Sequence, residues 1–213
     1  MNDDREAPRG QSTNDNISND LAGPRERVLQ AALELFVEQG YFNTNVPDIS
    51  KRSRCSVGSI YHHFLNKEDI ATQIYRDGMG HFRKALADAL NVDDTLELSI
   101  QNLVVAFLTF AQTNYLLSRY LWLARHSEFL SGRILQPTVV GFDDLGRKLT
   151  KVIKKGIRLG EIPRLPAHII WTIVFGIPVS YIRDWLDGYA TEQPSDVANT
   201  LSRASWAALH GAA

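Results

Sequence analysis

Residues 45–67, NVPDISKRSRCSVGSIYHHFLNK, hold two short helix signals too close together for any arrangement other than a helix-turn-helix. Asn45 is a good N-cap. Asp48, three residues on, can accept from the cap's own N–H, and Pro47 falls in the first turn, where a missing donor costs nothing. Ser56 is a second N-cap, and Ile60 and Phe64 at i, i+4 form the inward face of the helix it starts. Gly58, Ser59 and His62 then point outward, with Val57 and Tyr61 at the margin. A small, polar and aromatic outer face suits a helix laid into a DNA groove better than one that is only solvated. His63 leans toward Ile60 and Phe64 and is read as a packing residue. Asn66 and Asp69 repeat the capping pattern for the next helix.

The 213-residue chain has a formal net charge of −1, so total charge does not announce nucleic acid. Its distribution says more. In residues 45–67, Lys51, Arg52, Arg54 and Lys67 stand against Asp48 alone, whereas in residues 1–23 Arg5 and Arg9 face five acids. Residues 1–23 are also nearly free of large apolar side chains and read as a disordered tail. The one cysteine, Cys55, excludes an internal disulfide and fits a reducing compartment; in the turn it reads as a small apolar plug. No signal-peptide pattern is visible. The longest apolar run, 169–182, is interrupted by Gly176 and Pro178 and falls short of the roughly 20 residues a membrane span needs. The reading is a cytoplasmic protein without membrane partners.

Helical periodicity continues along the whole chain, without a strand pattern or a repeat. The first helix opens at Pro24 and ends at Gly40, with Val28, Leu29, Ala32, Leu35 and Phe36 on one face. Further helices are expected at about 46–53, 57–63, 67–90, 96–112, 115–125, 138–159, 167–186 and 195–210, the last capped by Ser195. Gly78 and Gly80 in the fourth mark either a pivot or a close-packing site. The 167–186 helix is apolar almost all round and should be buried on more than one side. The fold class is all-α: a tail at 1–23, a three-helix helix-turn-helix domain at 24–67, and a larger helical ligand-binding and dimerisation domain at 68–213, about nine helices in total.

The run GYFNTNVPDISKRSRCSVGSIYHHFLNKEDI closely resembles the DNA-binding domain of the TetR family of bacterial transcriptional regulators. Gly40, Thr44, Asp48, Ile49, Ser56, Gly58, Ser59, Ile60, Tyr61, His62, Phe64, Lys67 and Glu68 carry the match. Beyond it the similarity is one of architecture, with GIRLGEIP at 156–163 resembling the turn before the last two helices. The resemblance implies a homodimer on a palindromic operator, released by a small ligand in the second domain, without enzymatic activity. Two positions depart from the family. Arg54 stands where glycine is common and would be strained at positive φ, and Val57 replaces a common lysine, implying a different operator preference.

Phosphate contacts fix register and base-edge contacts select sequence. Thr44, Asn45, Ser59, Tyr61, His62 and Lys67 form the expected phosphate set, with Ser56 capping the recognition helix. Val57 offers an apolar contact suited to a thymine methyl, and Gly58 allows close backbone approach. Arg25, Arg27, Lys51 and Arg52 could add attraction. For an effector, Phe107, Phe110, Trp122, Trp171, Phe175 and Tyr181 are aromatics on the central helices, and Arg125 and His126 are ionisable groups beside them. No cofactor is implied and no metal spacing is found. The expected partners are a double-stranded DNA operator, a small-molecule effector and a second copy of the chain joined through the last two helices. A helical enzyme or a protein-binding module using the C-terminal cavity is the alternative.

Overall fold

A computed structural model of the chain describes residues 23–124, 126, 129–130 and 144–212. Among these residues there are nine helices and no strand: α1 (Pro24–Gln39), α2 (Val46–Ser53), α3 (Val57–His63), α4 (Lys67–Ala89), α5 (Leu96–Thr113), α6 (Tyr115–Leu123), α7 (Asp144–Leu159), α8 (Ala167–Leu186) and α9 (Pro194–His210). The tail expected at 1–23 and the first turns of the helix expected at 138–159 lie outside the described residues, apart from Gly23. The chain divides into two compact units, Met1–Ala71 and Thr72–Ala213, with the division inside α4.

In the first unit α1 packs against both α2 and α3. Val28, Ala32, Leu35 and Phe36 of α1 are buried, as are Ile49, Ile60, Phe64 and Ile70. The two short helices are defined by their caps, because eight and seven residues are too few to be stable alone. Asn45 and Asp48 form the full capping box, each side chain bonding the other's backbone N–H at 3.0 Å, and the Ser59 N–H donates to Ser56 Oγ at 3.1 Å.

In the second unit α5 is central and touches α6, α7, α8 and α9. Its buried Phe107 meets Trp122 edge-on at 5.1 Å and Phe175 at 5.8 Å, while Phe82 meets Phe107, Phe110 and Trp122 at 5.4–5.6 Å. Edge-on aromatic clusters of this kind fill a core densely and fix its side-chain orientations.

The 20-residue α8 runs through both Gly176 and Pro178, over the bounds expected for it, 167–186. At a mean hydropathy of 1.3 it is long and apolar enough to cross a membrane by those measures. It packs instead as a core helix against α5, α6 and α9. The expected burial on several sides is also corrected: Ile170, Val174, Phe175, Pro178, Ile182 and Leu186 are buried on one face, while Ile169 and Ile177 are exposed. A single chain supplies neighbours for one side of α8 only. Ser195 is likewise not the cap of α9, which starts at Pro194 after Gln193.

Two glycines differ in what surrounds them. A Cβ on Gly156 would overlap Leu96 Cδ2, and Leu96 is itself buried; around Gly80, in mid-helix, there is open space. Gly78 packs closely, 2.8 Å from its would-be Cβ to Leu117 Cδ1, which resolves the glycine pair of α4 into one close-packing site and one open one. Gly156→Ala should therefore lower stability, the roughly 1–3 kcal/mol of overpacking outweighing a helix-propensity gain of about 1 kcal/mol. Gly80→Ala should raise it by up to about 1 kcal/mol. Thermal melts of both variants, moving in opposite directions, are the check.

Candidate functional site

The outer surface of α3 is built by the caps around it. Ser56 starts the helix and Phe64 ends it, its N–H returning to Ile60 O at 2.9 Å. Ile60 is fully buried, and this turns Val57 (38% exposed) and Tyr61 (53% exposed) outward beside Gly58 and His62. No acidic side chain lies on α3. His63 is exposed as well, its ring 5.2 Å from that of His62 and 6.4 Å from that of Phe64, which corrects the packing role read for it.

Several residues expected to reach DNA phosphates also hold the turn. Thr44 is 1% exposed and its hydroxyl donates to Gly40 O at 2.9 Å, so its side chain braces the α1–α2 turn. Asn45 is exposed, but its side-chain oxygen accepts the Asp48 N–H in the cap. The Lys67 ammonium donates to Tyr41 O at 2.8 Å and Thr44 O at 2.7 Å and lies 4.2 Å from the centre of the Tyr41 ring. Partial burial lowers its pKa from the ordinary lysine value. Lys67 thus pins the loop that feeds α2 to the start of α4.

The local positive charge is smaller than the residue count suggested. Arg52 makes a two-pronged pair with Glu38 at 2.8 and 3.0 Å and reaches Glu34 at 3.1 Å, tying α2 to α1. Arg27 donates toward Ser53 O at 3.4 Å and Cys55 Sγ at 3.5 Å. Cys55 is buried, as a plug for the turn would be. Lys51 and Arg54 remain as exposed cations of this segment. Arg54 carries the turn at φ 55°, ψ 31°, the left-handed conformation that sequence marked as strained.

The second unit encloses a cavity of about 210 Å³ among α5, α7 and α8. Ile100, Leu103, Leu149, Ile153, Ile170, Trp171, Val174 and Phe175 line it, with Thr150 and Lys154 as polar exceptions. Of the aromatics named from sequence, Trp171 and Phe175 are lining residues, 4.2 Å apart between ring centres. Phe107 and Trp122 belong to the aromatic core behind it. Phe110 joins that core and edges a separate open hollow with Ala85, Ala89 and Val105. Tyr181 donates its hydroxyl to Glu192 O at 2.7 Å, fastening the α8–α9 connection. Arg125 lies outside the described residues.

His126 also lies elsewhere than the cavity lining. It is 7% exposed, within 4.8 Å of the Tyr75 ring, 4.9 Å of Tyr120 and 5.6 Å of Phe129, centre to centre. Its Nε2 has no hydrogen-bond partner, and burial pushes its pKa down to about 4. The histidine is therefore a neutral core residue, not a head-group ligand in this cavity. Sequence reasoning missed the pairs Leu149/Ile153 and Thr150/Lys154, whose i, i+4 spacing aligns them on one side of α7.

A capped helix-turn-helix unit followed by a larger helical unit with an apolar cavity defines the protein class: an all-α, helix-turn-helix transcription regulator. Residues 28–74 match the family model described as bacterial regulatory proteins, tetR family. It is similar to the fatty acid metabolism regulator protein of Bacillus subtilis, 23% identical over 75% of this chain and 82% of that one. It is also similar to the transcriptional repressor KstR2 of Rhodococcus jostii, 38% identical over 36% of this chain and 39% of that one. The structure of FadR from Bacillus subtilis in complex with stearoyl-CoA shares the fold, with a TM-score of 0.69 and 20% identity over 87% of this chain and 99% of that one.

Arg54→Gly should relieve the left-handed strain and raise stability by about 1 kcal/mol or less, the glycine's extra unfolded-state entropy offsetting part of the gain; a thermal melt reads it. For His126, the unfolded chain takes up a proton near pH 6.5 while the folded chain waits until about 4. The unfolded state thus binds more protons in this window, and stability falls as pH drops through it. In His126→Phe that part of the acid loss should vanish, measured as a flatter dependence of Tm on pH between about 6.5 and 4.

Proposed function

We propose that this regulator is a repressor that binds a palindromic operator as a homodimer and leaves it when an apolar small molecule enters the cavity among α5, α7 and α8. The outer face of α3 is the observation that carries the DNA reading. It is exposed, free of acids and held rigidly by Ser56, Ile60 and Phe64. Val57 and Gly58 meet base edges in the major groove, Val57 against a thymine methyl. Ser59, Tyr61 and His62 meet phosphates, while Asn45, Ser56, Thr44 and Lys67 position the helices that present them.

Support for the dimer comes from α8, whose Ile169 and Ile177 are exposed in a single chain, and from α9, whose Ala207 and Ala208 are exposed beside it in sequence order. Pairing α8 and α9 with a second copy covers both in a four-helix arrangement. The effector reading rests on the apolar lining, and on likeness to the fatty acid metabolism regulator protein of Bacillus subtilis and to the FadR structure solved with stearoyl-CoA. Acyl compounds are the first effectors to test. A regulator of this kind works in the cytoplasm.

The test is a gel-shift titration with the DNA upstream of its own gene. Wild type should form a salt-sensitive specific complex that an acyl effector dissolves. Tyr61→Ala, at an exposed position, should weaken that complex at least tenfold without changing Tm. An unchanged affinity in this variant would remove α3 as the reading head.

A further inference from the structure

Arg54, in the turn between α2 and α3, is the one non-glycine residue with positive φ among the described residues, at φ 55° and ψ 31°. At the other positive-φ positions described, 40, 160 and 188, the chain has glycine. A side chain in this left-handed region crowds its own backbone, and glycine has none to crowd it. Residues kept in such a conformation persist only where the surroundings over-determine it, and they gather at functional sites.

The surroundings do over-determine it here. The Arg54 N–H donates to Ser50 O, as does the Cys55 N–H at 3.3 Å. Ser50 Oγ donates to Cys55 O at 2.6 Å, and the Cys55 N–H also reaches Ser53 Oγ at 3.3 Å. Buried Cys55 and the Ser56 cap then lead into α3. None of these bonds uses the Arg54 side chain, so a glycine would make the same turn with less strain. Arg54 is exposed, and the turn gains nothing from its guanidinium.

The neighbouring helix lacks what that side chain carries. α3, VGSIYHH, has no lysine or arginine. Of the cations around it, Arg52 is held by Glu34 and Glu38, Lys67 is held by two backbone carbonyls, and Arg27 is turned toward Ser53 O and Cys55 Sγ. DNA affinity comes largely from cations set against phosphates. Arg54 stands two residues before the Ser56 cap, outside the helix that Val57 and Gly58 lead. A side chain at that place lies at the margin of the groove that α3 enters, where the phosphates run. Its planar fork of donors fits two phosphate oxygens at once.

We propose that Arg54 is a DNA-phosphate contact, supplying beside α3 the permanent cation that the helix itself lacks. This rests on the reading of α3 as the DNA-contacting helix and adds to it a residue from the turn. Position 54 therefore sets stability against affinity: the residue that strains the turn is the one that holds the DNA.

The test is DNA binding by the full-length protein in a salt series, using the DNA upstream of its own gene and a scrambled duplex of equal length. Arg54→Gly and Arg54→Asn both suit left-handed backbone. Each should bind both duplexes about eightfold more weakly per protomer at about 0.1 M salt, with the slope of log K against log salt shallower by about 0.9 per protomer. Tm should not fall in Arg54→Gly. Arg54→Lys, which keeps the charge, should keep the wild-type slope. A merely structural role predicts the reverse order, with the glycine variant binding at least as well as the lysine variant.

Where Tyr61→Ala weakens binding, unchanged affinity and slope in Arg54→Gly and Arg54→Asn would overturn the inference and leave α3 as the reading head. A loss confined to the upstream DNA, with the scrambled duplex unaffected, would overturn it too, because a phosphate contact weakens all sequences alike. A wild type that forms no salt-sensitive complex would remove the reading of α3, and this inference with it.

Discussion

The amino-terminal unit depends on one ammonium group. Lys67 Nζ holds Thr44 O and also Tyr41 O, which the Thr44 N–H reaches at 3.3 Å, from the first residue of α4. A buried carbonyl left without a donor costs free energy comparable to a lost hydrogen bond, so these contacts stabilise the α1–α2 connection and set where α2 begins. Thr44 closes the same turn through Gly40 O. From there the capping box of Asn45 and Asp48 fixes α2, the Arg54 turn fixes α3, and the outer face of α3 inherits its position. Residues read from sequence as DNA contacts are in part the framework of this turn.

Charge is used in two ways in this chain. Around α2, Arg52 and Lys67 are drawn into the fold by Glu34, Glu38 and backbone carbonyls, so the positive field there is weaker than composition implies. Along α7, Lys148 and Lys155 are drawn in likewise, while Lys151 and Lys154 remain outside. A cation in a formed hydrogen-bonding geometry serves stability.

The aromatic residues illustrate a similar division. Phe82, Phe107, Phe110 and Trp122 lock together edge-on and form core. Trp171 and Phe175 sit one helical turn apart on α8 and border empty space. His126, polar but enclosed by three rings, is kept neutral by desolvation and acts as part of the core.

Local chemistry made much of this legible in the sequence. The caps Asn45 and Ser56, the stop at Gly40, the helical periods and the TetR-like run at 40–70 depend on neighbours within four residues, and their helices fall where expected. The left-handed strain at Arg54 could be named from its place in the turn. What required the tertiary structure was every choice among long-range partners: that Thr44 and Lys67 face inward, that His63 faces outward, that Gly78 packs while Gly80 does not, and that Thr150 and Lys154 border the cavity while Phe107 and Trp122 lie behind it. Sequence spacing determines which residues share a helix face. Which face meets another helix, and which meets empty space, is decided only when helices distant in sequence compete for the same apolar surface.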